Sequence, residues 1–159
     1  MITVPIADGN CRCEMDNFMD VINEWVEKVD RDIDRVLQTV VLLVGRSVVT
    51  LSPVDTGRFK GNWQMSIDET IDNSLVRYDP EGTQTLNDMA RVANRFTAGQ
   101  MAYIQNHVLY GTDLELGLYN GPTAKVTDDG FSRQAPAGMV SVTEAKFLSI
   151  VNEAVKLTI

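Results

Sequence analysis

From Glu14 to Thr50, apolar residues recur at steps of three and four: Met15, Phe18, Met19, Ile22, Trp25, Val26, Val29, Ile33, Val36, Leu37, Val40, Leu43 and Val44. That spacing lays one continuous apolar stripe along an α-helix. Asp16, Asp20, Glu24, Asp30 and Asp34 take the other face, and acids early in the segment favour the helix dipole. Pro53 stops the element because proline removes a donor and clashes with the preceding turn. At 1.5 Å per residue such a helix spans roughly 50 Å. A compact domain of 159 residues is only about 40 Å across. One domain of this size does not cover the whole stripe. Either Gly45 breaks the helix, or part of the stripe is buried against another subunit.

The rest of the chain alternates short elements with turns. Residues 1–13 read as an irregular arm, and 14–159 as a single domain. After a turn at Ser52 to Gly57, rich in Pro, Asp and Gly, Trp63, Met65 and Ile67 alternate with polar residues, the period of a half-buried strand. A short strand is expected at Leu75 to Tyr78. Leu86, Met89, Ala90, Ala93 and Phe96 fit a short helix ended by Gly99. Met101 to Asn106 is rich in strand formers. Residues 111–134 read as a long loop region. Met139, Val142, Phe147, Ile150, Val151, Ala154 and Val155 mark a last helix, with Pro136 near its first turn. The order implies an α+β fold: a long N-terminal helix and a C-terminal helix packed on a small antiparallel sheet.

Net charge is −8, and Glu14 to Arg35 holds eight acids against three bases. Phosphate binding needs clustered Lys and Arg, so neither specific DNA binding nor an anionic membrane surface suits this chain. No apolar run reaches the ~18 residues of a membrane span. The start lacks the basic region and apolar core of a signal peptide, so the chain is expected to stay in the cytoplasm where it is made. The two cysteines are Cys11 and Cys13. A bridge between i and i+2 has poor geometry, and a zinc site needs about four ligands while the only histidine is the distant His107. They read as free thiols in the arm.

No catalytic constellation stands out. His107 has no cysteine or nucleophile motif beside it. Asp55-Thr56-Gly57 matches the tripeptide of aspartic proteases, but that chemistry needs two such carboxylates, and here there is one, after a long helix. An Asx-type turn with conformational freedom at Gly57 is the simpler reading. Phosphate-binding glycine loops are missing. No catalytic residue, cofactor-binding residue or metal ligand is assigned.

Three blocks in order carry a resemblance. The first is Ser52-Pro53-Val54-Asp55-Thr56-Gly57-Arg58-Phe59-Lys60-Gly61-Asn62-Trp63. The second is Tyr103-Ile104-Gln105-Asn106, then Tyr110, then Leu114-Glu115-Leu116-Gly117. The third is Gln134-Ala135-Pro136-Ala137-Gly138-Met139-Val140. Together they resemble the neck, tail-completion or head–tail joining proteins of long-tailed bacteriophages, over about residues 14–157. This chain departs from that pattern by inserting Leu118 to Arg133 between the second and third blocks.

The resemblance implies a structural virion protein and no enzyme. It implies an α+β subunit assembled into a ring of about six copies, between the head connector or portal-side adaptor and the tail terminator or tail tube. DNA would pass the lumen without specific binding, and an acidic wall suits that passage. Assembly in the host cytoplasm and a final place in the virion neck follow. No cofactor and no membrane partner are implied. The motif residues read as structural or interfacial: the Ser52 to Gly57 turn as the reversal from helix to strand, Trp63 and Tyr103 as large anchors, Pro136 and Gly138 as shaping the approach to the last helix. The loop 118–133 is the expected contact with a neighbour. Competing readings are a tail terminator or head-closure protein of related fold, a small hydrolase using Asp55 and His107, and a monomeric binding module.

Overall fold

A computed structural model of the chain describes residues 11–158, with side chains from residue 18 onward. The first ten residues of the expected arm lie outside the described residues. Its last three are already helical, because α1 runs Cys11–Leu51. The other elements are α2 (Arg58–Gly61), β1 (Trp63–Ile67), α3 (Thr83–Ala93), β2 (Ala102–Asn106), α4 (Gly111–Leu116), a 3-10 turn at Thr123–Lys125, α5 (Val140–Ala145) and α6 (Phe147–Thr158).

The fold is α+β, with helices gathered about a two-stranded antiparallel sheet. β1 and β2 pair in the register Trp63↔Asn106, Met65↔Ile104 and Ile67↔Ala102. Strand alternation turns Trp63 and Met65 inward, where both are buried. The core joins Val48 and Val49 of α1, Phe59, Trp63, Met65, Met89 and Ala93 of α3, Val108, Leu114, Ala135 and Met139. α6 lies along α1, burying Ile150 and Ala154.

Gly45 does not break α1. It sits in mid-helix, and an added Cβ would lie 2.9 Å from Met89 Sδ and 3.2 Å from Met65 Cε. The missing side chain lets α3 and the sheet close onto the helix. With the helix unbroken, nothing among the described residues covers its first part: every side chain from Phe18 to Lys28 is exposed, Phe18 and Trp25 each at 62%.

Other expectations need correction. Leu75 to Tyr78 is not a strand. The backbone of Leu75 is satisfied by a side chain instead of a ladder: Leu75 N–H donates to Asn62 Oδ1 (2.7 Å) and Asn62 Nδ2 donates to Leu75 O (2.8 Å), while the Arg77 side chain ties the segment down by donating from Nε to Gly61 O (2.7 Å). α3 ends at Ala93, before Gly99, which lies in a later turn at φ +89°. The region 111–134 is not a plain loop, since it contains α4 and the 3-10 turn. The last helix is two helices meeting at Lys146. Pro136 is not in its first turn. It occupies the second position of a turn closed by Gly138 N–H to Ala135 O (3.3 Å), where its fixed φ is suited, and α5 starts four residues later.

Candidate interaction site where the three motifs meet

The three sequence blocks converge at the C-terminal end of α1. Ser52, the first residue after the helix, is buried and donates back to Val48 O (2.7 Å). The Trp63 indole N–H donates to Ser52 Oγ (2.7 Å). This ties the start of β1 to the end of α1 and places Trp63 in the core. Pro53 and Val54 lead away from the helix and meet the third block. Val54 N–H donates to Gln134 Oε1 (2.7 Å), and Gln134 Nε2 donates to Val54 O (2.9 Å). A side-chain amide thus mimics a strand partner for one residue, using both its donor and its acceptor.

The glycines of the first block serve close backbone approach. Gly57 has φ +82°, and a Cβ there would strike the Pro80 backbone. Its carbonyl accepts from Gly61 N–H (2.9 Å) and Asp79 N–H (3.1 Å). A Cβ on Gly61 would come within 2.9 Å of Arg77 O. Asn62 is fully buried and also donates to Arg58 O (2.9 Å). Thr56 accepts from Arg58 N–H (3.4 Å). Phe59 packs edge-on to Trp63, with centroids 5.9 Å apart, and against Tyr110 at 6.0 Å. From the second block, Asn106 Nδ2 reaches Phe59 O (2.9 Å), and Asn106 Oδ1 accepts from Val108 N–H (3.2 Å). Tyr103 stands apart. It is half-buried on β2 opposite Ser66 and joins none of these contacts.

Glu115 joins the second block to the third. Its carboxylate accepts from the N–H of Met139 (2.7 Å), Val140 (2.9 Å) and Ser141 (2.8 Å) and from the Ser141 hydroxyl (2.7 Å). These are the orphan donors at the start of α5. Burial works to raise the Glu115 pKa, but the Ser141, Val140 and Met139 amides and the Ser141 hydroxyl together hold it below the ordinary 4.5. Gly138, at φ +75°, gives the carboxylate room, since a Cβ there would meet Glu115 itself. Met139 beneath it is 1% exposed. Gly117, at φ +70°, ends α4 and lets Phe131 and the Asp129 carbonyl approach.

Asp79 is a member of this framework that no sequence motif marks. It is buried, and its carboxylate accepts from Thr83 N–H (3.1 Å), Thr85 N–H (2.9 Å) and Thr85 Oγ1 (2.9 Å). Burial pushes its pKa up, yet the Thr85 amide and hydroxyl with the Gly82 and Thr83 amides keep it below 3.8. The only cue in the sequence is an acid four residues ahead of the helix start.

The inserted segment 118–133 is ordered by its own backbone. Tyr119 N–H donates to Gly130 O (3.1 Å), Thr127 N–H to Phe131 O (2.8 Å) and Arg133 N–H to Lys125 O (2.9 Å), and Val126 bridges Ser132. Between this segment and the first motif lies a groove of about 480 Å³, within the range of pockets that take a small ligand or an anchoring side chain. Phe59, Tyr110, Leu114 and Tyr119 form its apolar surface, and Asp55, Arg58, Lys125 and Arg133 its charged surface. Lys125 Nζ lies 3.4 Å from Asp55 Oδ1, both exposed. Burial lifts the Tyr110 phenol above 10.0, with Arg58 opposing and Asp55 and Tyr119 adding to the rise. Asp55 lines this groove and His107 does not. The His107 Nε2 is buried without a partner.

The chain matches no protein-family model, no curated protein and no solved structure. No helix among the described residues is long and apolar enough to cross a membrane.

Proposed function

We propose that this chain is a structural subunit of the neck of a long-tailed phage virion, a tail-completion or head–tail joining protein. Copies form a closed ring between the head connector and the tail, and DNA passes through without specific binding. The observation that carries the reading is the uncovered first part of α1. Phe18, Val21, Ile22, Trp25 and Val26 stand exposed at 39–62% on a stretch of helix that no other part of the described chain covers. Monomers seldom leave so much contiguous apolar surface open, and such patches mark interaction sites. Support also comes from the motif residues, which interlock to fix the far end of the same helix. The acidic balance of the chain, 22 acids against 14 bases, suits a wall past which DNA slides.

The test is electron microscopy of particles released from the host that carries the gene, with an antibody against the chain. Label at the junction of head and tail supports the reading. Infectious particles that lack the chain overturn it. Light scattering of the purified protein should give a discrete closed oligomer near about six subunits.

A further inference from the structure

The uncovered apolar stripe and the basic groove lie at opposite ends of α1. Trp25 is near one end, and Pro53, which lines the groove, follows the other. The intervening helix separates them by about 40 Å. A rigid helix cannot bring its own stripe into its own groove. We infer that the first part of α1 of one copy docks in the groove of the next, with Trp25 as the anchor. The inference rests on the ring reading and specifies its interface.

Charge identifies the occupant. Between Phe18 and Asp34, α1 carries Asp20, Glu24, Glu27, Asp30, Asp32 and Asp34 against Lys28 and Arg31. The groove reverses the balance of the whole chain, with Arg58, Lys125 and Arg133 against Asp55. Arg58 has no carboxylate partner among the described residues. A second apolar groove, between α1, β2 and the α5–α6 junction, is lined by Val44, Trp63, Ile104, Phe147 and others, and its one charged lining residue is Glu144. That sign is wrong for an acidic helix. Pairing α1 with α1 across a two-fold would set the same acids against each other, which like-charge repulsion disfavours. The aromatic surface of the basic groove (Phe59, Tyr110, Tyr119) suits an incoming indole. Because helix and groove are different surfaces, the contact is head-to-tail, the kind that closes into a ring when the rotation allows.

The experiment uses the full chain and two charge-reversed variants. Glu24→Lys/Asp30→Lys alters the flanks of the stripe, and Arg58→Glu/Arg133→Glu alters the groove. Circular dichroism first establishes that both fold. In light scattering across a concentration series, the unaltered chain associates, and each variant alone associates at least tenfold more weakly. Mixed one to one, the variants regain association in even-numbered complexes, because each reversed helix meets a reversed groove. A two-fold helix pair would instead leave the groove variant associating normally on its own, because that contact does not use the groove. As a second measurement, Val21→Cys/Ala124→Cys, one turn from Trp25 and on the rim of the groove, is oxidised in a Cys11→Ser/Cys13→Ser background, and a ladder of linked chains is expected. A wild-type chain that stays monomeric at every concentration overturns the inference. So does a helix variant that assembles normally, a mixture without rescue, or oxidation that leaves single chains. None of these results moves the antibody label on particles, so the neck reading stands or falls separately.

Discussion

Trp63 donates its indole N–H to Ser52 Oγ at 2.7 Å, and both side chains are buried, at 5% and 4% exposure. The bond spans the reversal between the long helix and the first strand. Ser52 in turn donates to Val48 O, so the last turn of α1, the reversal and β1 are linked through one hydroxyl.

Ser52→Ala removes the acceptor and leaves a buried indole N–H unpaired. Such a group costs about 1–3 kcal/mol. Urea denaturation should show that loss with an unchanged slope. An effect below about 0.5 kcal/mol would mean that the Trp63 N–H finds another partner.

Glu115 satisfies three amides and a hydroxyl at the start of α5. Glu115→Ala should cost about 1–2 kcal/mol, the usual scale of a lost cap. Amide hydrogen exchange at Met139, Val140 and Ser141 should quicken more than at Ile150. Uniform quickening across α5 and α6 would contradict a local capping role.

Gly57 and Gly99 share a left-handed backbone, at φ +82° and +89°, but not surroundings. A Cβ on Gly57 would collide with Pro80, whereas one on Gly99 meets nothing within 4 Å. Gly99→Ala should cost about 1–2 kcal/mol, the backbone contribution alone. Gly57→Ala should cost clearly more, or prevent folding. Equal thermal midpoints for the two variants would refute the packing argument.

Acid should weaken the fold through Asp79 and Glu115. Both carboxyls lie lower in the folded chain than their ordinary 3.8 and 4.5, so on acidification the unfolded chain takes up protons first. Their contribution is complete above the ordinary values and disappears as pH falls through the lower folded ones. The urea midpoint should depend little on these groups from pH 7 to about 5 and fall below about 4.5. In Asp79→Asn/Glu115→Gln that acid-dependent part should shrink.

Trp25 is 62% exposed. In dilute protein, Trp25→Ala should change stability by no more than about 0.5 kcal/mol, as for other surface substitutions, while association at high concentration weakens. A loss above about 2 kcal/mol in dilute protein would show that Trp25 packs within its own chain.

Long-period patterns are legible in the chain itself. The three- and four-residue steps from Met15 to Val44 specify a helix whatever surrounds them, and the alternation through Trp63, Met65 and Ile67 specifies a strand. Leu75 to Tyr78 has the composition of a strand and is not one, because the segment is held by Asn62 on the Leu75 backbone and by its own Arg77 on Gly61 O rather than by a neighbouring strand. Local propensity does not distinguish those two causes. The last two helices read as one in the sequence because apolar residues recur on both sides of Lys146, and the one irregular step, five residues from Val142 to Phe147, leaves little trace in a periodic pattern.

The candidate site divides in the same way. Ser52, Gly57, Gly61, Gln134 and Gly138 can be singled out from the sequence as turn and motif residues. Their partners cannot, because Val54–Gln134 and Glu115–Met139 are joined across 80 and 24 positions, and such pairing depends on how the elements pack. The basic groove leaves no sequence signal for the same reason. Arg58, Lys125 and Arg133 are scattered along an acidic chain and meet only when the 118–133 segment folds back over the first motif. By itself the sequence determined the elements and the excess length of α1, since periodicity and chain geometry are local properties. Only the tertiary structure decided which part of that helix stays uncovered and where opposite charge gathers, because burial and electrostatic fields sum over residues distant in the chain.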